Sequence, residues 1–197
     1  MHVRRPVKAL TGDDVRAMDH LWHHAAKIGA PLTAFVTVNI FDFDALSPQD
    51  KADANRRILD NLGQFARREG FPIVYIWARE IGVDNTGEHL HILAHVPRHL
   101  FRKFKRLANA WLPGNEIQIA AASYRISKAE DGKLHSALHY MAKQMDHRAN
   151  FRAAWRRVKG GTIFGARWGC SQSLRGEKAE VLKAREMRRR AFRRRQE

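Results

Sequence analysis

"GEHLHILAHV" (residues 87–96) superimposes two patterns on one short run. Successive side chains of a strand point to opposite faces. Leu90, Ile92, Ala94 and Val96 therefore share one face, and His89, His91 and His95 the other. The aliphatic face needs a covering layer. The histidine face is either the polar outer surface of a half-exposed strand or a pair of nitrogen donors at one place. Just upstream, "FPIVYIWAREI" (71–81) is a second strand-like run, and the turn-rich "GVDNTG" (82–87) joins the two, so a β-hairpin is the natural reading.

Further elements flank this hairpin. Thr11 is an N-cap candidate for an amphipathic helix carrying Val15, Met18, Leu21, Trp22 and Ala25 and stopping at Gly29 and Pro31. "LTAFVTVNI" (32–40) is short, β-branched and apolar, as a central strand is. Over 50–68, Ile58, Leu59, Leu62, Phe65 and Ala66 recur at helical spacing, with Gly70 beyond them as a C-cap signal. "RHLFRKFKRLANAWL" (98–112) puts Phe101, Phe104, Leu107, Ala108 and Trp111 on one helix face and Arg102, Lys103, Lys105 and Arg106 mostly away from it. "NEIQIAAASY" (115–124) reads as a strand and 134–147 as a helix. From residue 32 the order is strand, helix, strand, strand, helix, strand, helix. That order predicts an α+β fold, a largely antiparallel central sheet with helices packed on it, of ferredoxin-like or RRM-like type. The expected organisation is an N-terminal helix over 1–31, the α+β domain over 32–150, a glycine-rich irregular extension over 151–175 and a mobile basic tail over 176–197.

The chain has 197 residues and a formal net charge of +16, which favours a polyanionic partner, nucleic acid first. No apolar run is long enough to span a bilayer and the N-terminus lacks a signal-peptide core, so a soluble, intracellular, cytoplasmic protein is expected. The single cysteine, Cys170, cannot form an internal disulfide. No phosphate-cradling ATPase loop occurs, so helicase work would fall to a partner.

Glu80 ends the strand before the hairpin, and the turn can return the chain so that Glu80 lies beside His89 or His91 if the register has the right parity. Two imidazole nitrogens and a carboxylate with open positions suit a divalent ion that also takes substrate oxygens, such as Mn²⁺ or Mg²⁺, with Zn²⁺ admissible on ligand type. On a helical wheel of 134–147, Leu134, Leu138, Met141 and Met145 form the core stripe, whereas Tyr140 lies well off it, flanked by Lys143, Gln144 and His147. A tyrosine there is surface decoration or a nucleophile. In the second case Lys143 would bind the phosphate under attack or stabilise the attacking oxygen.

"HLH" followed some fifty residues later by "YMAK" resembles the HUH endonucleases, specifically the rolling-circle replication initiator type with a single tyrosine. Glu80, His89 and His91 resemble that family's acid-plus-histidine metal site, and "TAFVTVNI" sits where its first strand motif would lie. The likeness covers about residues 32–147. It implies a metal-dependent, site-specific nick in single-stranded DNA at a replication origin of a plasmid or phage. Tyr140 would attack the scissile phosphate, leaving a free 3′-hydroxyl for a host polymerase and a 5′-phosphotyrosine link that a later 3′-hydroxyl can reverse. Tyr75 and Tyr124 read as structural. Gln144 makes the motif also read as tyrosine, three residues, glutamine, as in the single-tyrosine transposases of small insertion sequences, which are the second reading. A noncatalytic nucleic-acid-binding module with basic flanks is the third.

Arg102, Lys103, Lys105 and Arg106 are candidate phosphate contacts, and Arg167 and Trp168 in "GARWGCSQS" candidate clamps for single-stranded bases, the alternative for Trp168 being an anchor to the core. His20, His23 and His24, and His135 with His139, have metal-compatible helical spacing but no evident acid beside them.

Overall fold

In the computed structural model, described over residues 6–39, 47–111, 116–122, 127–128, 134–146 and 158–194, the chain folds around one five-stranded sheet. The strands are β1 (Pro6–Val7), β2 (Ala34–Asn39), β3 (Tyr75–Glu80), β4 (His89–Ala94), β5 (Glu116–Ala121), β6 (Ser127–Lys128), β7 (Leu134–His135), β8 (Ile163–Phe164) and β9 (Trp168–Cys170). The helices are α1 (Gly12–Lys27), α2 (Pro48–Glu69), α3 (Phe101–Ala108), α4 (Ala137–Met141) and α5 (Arg175–Arg193).

The main sheet has the order β5-β2-β4-β3-β9, with every neighbouring pair antiparallel. Its first four members, with α2 and α3, form the β-α-β-β-α-β unit of the ferredoxin-like fold. The expected α+β class and antiparallel sheet are what the chain adopts.

Alternation along β4 sorts the two layers. Leu90, Ile92 and Ala94 join Ala34, Val36 and Val38 of β2 beneath α2 and α3, where Ile58, Leu62, Phe65 and Phe104 are also buried. Leu93 faces the other way, into a core built by Val15, Met18, Leu21 and Trp22 of α1 with Leu138 and Met141 of α4. The sheet is thus covered on both sides. α2 is capped at each end, by the Ser47 side chain accepting from the Asp50 N–H and by Gly70 at φ 72°, a left-handed conformation that glycine takes without a Cβ penalty. In α1, Thr11 and Asp14 form a reciprocal capping box.

Three expectations are corrected. The helix predicted over 134–147 is only five residues long, because Leu134–His135 pairs with β6 and the chain leaves the helix after Met141. There the Leu10 N–H donates to the Gln144 carbonyl at 3.4 Å and the Asp146 N–H to the Leu10 carbonyl at 2.8 Å, which draws the backbone into a bridge with the N-terminal segment. The extension over 151–175 is not wholly irregular, since its β9 supplies the fifth strand against β3. The basic tail is largely the helix α5, docked on α1 through Arg189 to Asp13 at 2.7 Å and through Val181 and Leu182 against the core. Tyr124 and His147 lie outside the described residues.

Phe65 is fully buried and its ring meets those of Phe71 and Phe104 at centroid distances of 5.7 and 5.4 Å. Phe65→Ala is expected to lower unfolding free energy by about 3–5 kcal/mol, read from urea-denaturation midpoints.

Candidate functional site

The register of the hairpin decides which side chains meet. Glu80 pairs directly with His89, and Ala78 with His91. Residues directly opposite in an antiparallel pair share a face, so the parity that the sequence left open is the one that puts Glu80, His89 and His91 together. On the other flank of β4, Asn39 pairs with His89 and Thr37 with His91, and Gln118 of β5 pairs with Thr37. Tyr140 and Lys143 arrive from above, on α4 and the turn that follows it. These residues line one small cavity of about 150 Å³.

Glu80 is the hub. Its Oε2 lies 3.0 Å from His91 Nε2 and its Oε1 2.8 Å from Lys143 Nζ. A carboxylate accepts, so His91 Nε2 carries the proton and His91 Nδ1 accepts from the Thr37 hydroxyl at 3.1 Å. His89 Nδ1 is bonded to the Asn39 side-chain oxygen, also an acceptor, which leaves the lone pair of His89 on Nε2. Thr37 and Asn39 were missed by sequence reasoning. Their signal was there in "TAFVTVNI", where polar residues alternate into a central strand on the histidine parity.

Burial opposes the charge on each member, and partners decide the outcome. For Glu80, burial pushes the carboxyl up, but hydrogen bonds from His91 and Lys143 outweigh it and hold the group below its ordinary range. For Lys143, burial pushes down, while Glu80 and then Tyr140 overcome that and raise it. His91 goes the other way, as burial dominates the pull of Glu80 and lowers it. At neutral pH the cluster is an ammonium–carboxylate pair beside a neutral imidazole.

Tyr140 is 39 % exposed, consistent with its place off the core stripe. Its ring stands edge-on to His91 at 5.3 Å and to Phe35 at 5.9 Å, and Lys143 Nζ lies 3.9 Å from its centroid. Tyrosine, lysine, acid and histidine therefore converge. His89 stands farther off, its ring stacked on that of His91 at a centroid distance of 6.3 Å. Glu80, His89 and His91 do not form a closed donor set as they stand. Among the described residues, the group whose ligand atoms lie within 4.8 Å of one another is His20, His24 and Glu177.

That second group corrects the expectation that the α1 histidines have no acid near them. Glu177 of α5 is bonded to His20 and lies 3.8 Å from His24, tying the C-terminal helix to α1. His135 belongs to β7, so it and His139 do not share a helix face. His95 is structural, its Nδ1 bonded to the Pro31 carbonyl at 2.8 Å.

Two further expectations are overturned by burial. Arg167 is 2 % exposed, and its guanidinium is consumed by the carbonyls of Val7, Lys8 and Gly161 and by Gln144. Burial lowers it to about 10, so it remains a cation at neutral pH, but an internal one. Trp168 is also buried, donating to Asp14 Oδ1 at 2.8 Å and covered by Lys178. Neither presents a surface to DNA.

Gln144 is buried as well. It accepts from the Ile81 N–H at 3.2 Å and donates to the Ile81 carbonyl at 2.6 Å. It locks the tyrosine segment to the residue after Glu80, and its side chain is not among those lining the cavity. Glu88, unremarked in the sequence, forms a buried pair with Arg79 at 2.5 Å that braces the same hairpin.

Arg102, Lys103, Lys105 and Arg106 are all exposed on α3, as expected, although Lys103 is paired with Glu69 at 2.8 Å. α3 packs on the face of the sheet opposite the histidines. Its charges therefore lie across the sheet from Tyr140. No helix among the described residues is long and apolar enough to cross a membrane. No family model matches this chain, and neither a curated protein nor a solved structure matches it.

Two outcomes are expected. Gln144→Ala strands the Ile81 backbone groups and one arm of Arg167, and should cost about 3 kcal/mol in chemical denaturation. The lowered His91 makes the native state resist protonation relative to the unfolded chain. Stability should be complete above the ordinary histidine value of 6.5 and decline as pH falls below it, with Glu80 extending the loss below 4.5. In thermal melts between pH 7 and 5, His91→Gln should flatten that decline.

Proposed function

We propose that the chain is a metal-dependent endonuclease and strand transferase that nicks single-stranded DNA through a tyrosine–phosphate intermediate. The observation that carries this reading is the convergence of an exposed phenol, a lysine ammonium, a carboxylate and a neutral imidazole on one cavity. A merely decorative tyrosine has no reason to meet the end of a hairpin 60 residues upstream, and the convergence is what tyrosine-based phosphoryl transfer requires.

The donor set fits a divalent cation, Mn²⁺ or Mg²⁺. Asn39 fixes the His89 tautomer with Nε2 open, and the Thr37 hydroxyl can donate to or accept from His91 Nδ1, so either His91 tautomer is satisfied. Glu80, His89 and His91 would hold the ion, whose contribution when bound is to neutralise charge developing on the phosphate. Glu80 is the oxygen ligand, and a cation there competes with the Lys143 ammonium for the same carboxylate.

The chain's own residues do the rest. The Tyr140 hydroxyl gives up its proton as its oxygen attacks phosphorus, the bond from phosphorus to the 3′-oxygen breaks, and that oxygen takes up a proton and leaves as a hydroxyl, so one proton is released and one consumed. The 5′-phosphate stays esterified to Tyr140, so an incoming 3′-hydroxyl can reverse the exchange without another energy source. Lys143 sits over the phenol ring, and its role would be to bind the non-bridging phosphate oxygens. Initiation of rolling-circle replication, with a host helicase and polymerase, is the role this chemistry serves. The transposase reading loses its distinguishing residue, because Gln144 is spent on Ile81.

The test is incubation with Mn²⁺ and a pool of single-stranded oligonucleotides, followed by mass analysis for a nucleotide-bearing peptide. A DNA adduct on Tyr140 is expected, absent in Tyr140→Phe and in EDTA, with strand binding retained in the variant. An adduct that persists in Tyr140→Phe, or cleavage that ignores EDTA, refutes the assignment.

A further inference from the structure

Tyr75, Trp77 and Arg79 alternate with Ile76, Ala78 and Glu80 along β3, so they lie on the face of the sheet away from the nicking cavity. There, between β3, the first half of α2 and the start of α5, is a second cavity of about 430 Å³, within the range of small-molecule sites. Its walls combine three features.

The first is Asn55 on α2. It is 7 % exposed, and neither its amide oxygen nor its amide nitrogen has a hydrogen-bond partner among the described residues. Leaving both ends of a buried amide unmade costs on the order of 1–3 kcal/mol per group, so such a residue calls for a reason. The second is an aromatic wall. A Cβ at Gly169 would come 2.8 Å from the Trp77 indole, so only glycine lets that ring lie flat against β9, and Tyr75 stands one step along the same face. The third is positive charge. Arg175 has no ion-pair partner among the described residues, and Arg56, its side chain 67 % exposed, has only Asp53 at 3.8 Å, so two guanidinium groups stand against the one carboxylate that lines the cavity, Asp60.

A flat ring surface, an amide offering one donor and one acceptor, and guanidinium groups are the chemistry that recognises a nucleotide. Stacking takes the base, Arg takes the phosphate bidentately, and an asparagine amide complements adenine, which presents a donor and an acceptor side by side. We propose that this cavity is a binding site for an adenine nucleotide, with Trp77 and Tyr75 against the base, Asn55 reading its edge and Arg175 and Arg56 on its phosphate. The site does not depend on the nicking chemistry, since it shares no residue with it and lies across the sheet.

The adenine can be free or carried by a strand, and titration calorimetry without metal distinguishes these sources. One arm uses 5′-dAMP against dGMP, dCMP and dTMP. The other uses an oligothymidine with one central adenine against the same strand abasic at that position. The expected result is at least a tenfold preference for adenine in one or both arms. Asn55→Leu should reduce that binding at least tenfold while leaving the thermal midpoint unchanged or higher, because it removes an unpartnered buried amide. A structural asparagine would show the reverse. Trp77→Leu should weaken both arms, and Arg175→Gln should weaken 5′-dAMP but not deoxyadenosine, which keeps the test open should Asn55→Leu fail to fold. Equal affinity for all four bases, preference for another base, no binding at millimolar ligand, or binding unchanged in these variants overturns the proposal. Because no cleavage is read, failure here leaves the nicking reading intact.

Discussion

The Glu80 carboxylate is the constraint on which the site depends. Its two oxygens take a proton donor from β4 and an ammonium from the segment after α4, so one group fixes the hairpin and the tyrosine relative to each other. Without it, Lys143 would be a half-buried ammonium with no counter-charge and the buried His91 Nε2–H a donor with no acceptor. The hub works because its neighbours are themselves held. Gln144 fastens the tyrosine turn to Ile81, Arg167 fastens Gln144 to the N-terminal segment, and Arg79 with Glu88 braces the hairpin from the other side. These supports are buried, so even the turn after α4 is tied to the sheet by internal hydrogen bonds.

The same arrangement separates two kinds of positive charge. Arg167 is an internal strut, and its proximity to Glu80 and Glu88 offsets part of the cost of burying it. The exposed cations of α3 lie across the sheet from Tyr140. Among the described residues, Lys143 is the basic side chain that lines the cavity beside Glu80 and Tyr140. A net charge of +16 is therefore a statement about long-range attraction to polyanions, not a map of the contacts.

The sheet was legible because its signals are local. β-branched runs, the turn between Gly82 and Gly87, and the capped periodicities of α1 and α2 each speak for a few neighbouring residues. The strand alternation of 87–96 was enough to divide aliphatic from histidine faces. Glu80 was legible beside the histidines only as a condition, since one of two parities brings it there and the register of the hairpin decides which. What failed was non-local. The helix over 134–147 kept good periodicity past Met141, yet Leu10, more than 130 positions away, claims its backbone hydrogen bonds. Arg167 and Trp168 look like surface ligands for DNA in isolation, and only the closure of β9 against β3 makes them internal. The acid that meets His20 and His24 is on α5, over 150 residues downstream, where no spacing rule could reach.

Anomalous scattering from crystals grown with Mn²⁺ bears most directly on the central claim, because it locates the cation rather than its effect. The expected result is a peak bonded to Glu80 and to both His89 and His91 through their Nε2 atoms, with Lys143 displaced from the carboxylate. A peak confined to His20, His24 and Glu177, or none near Glu80 with the Lys143 pair intact, contradicts it.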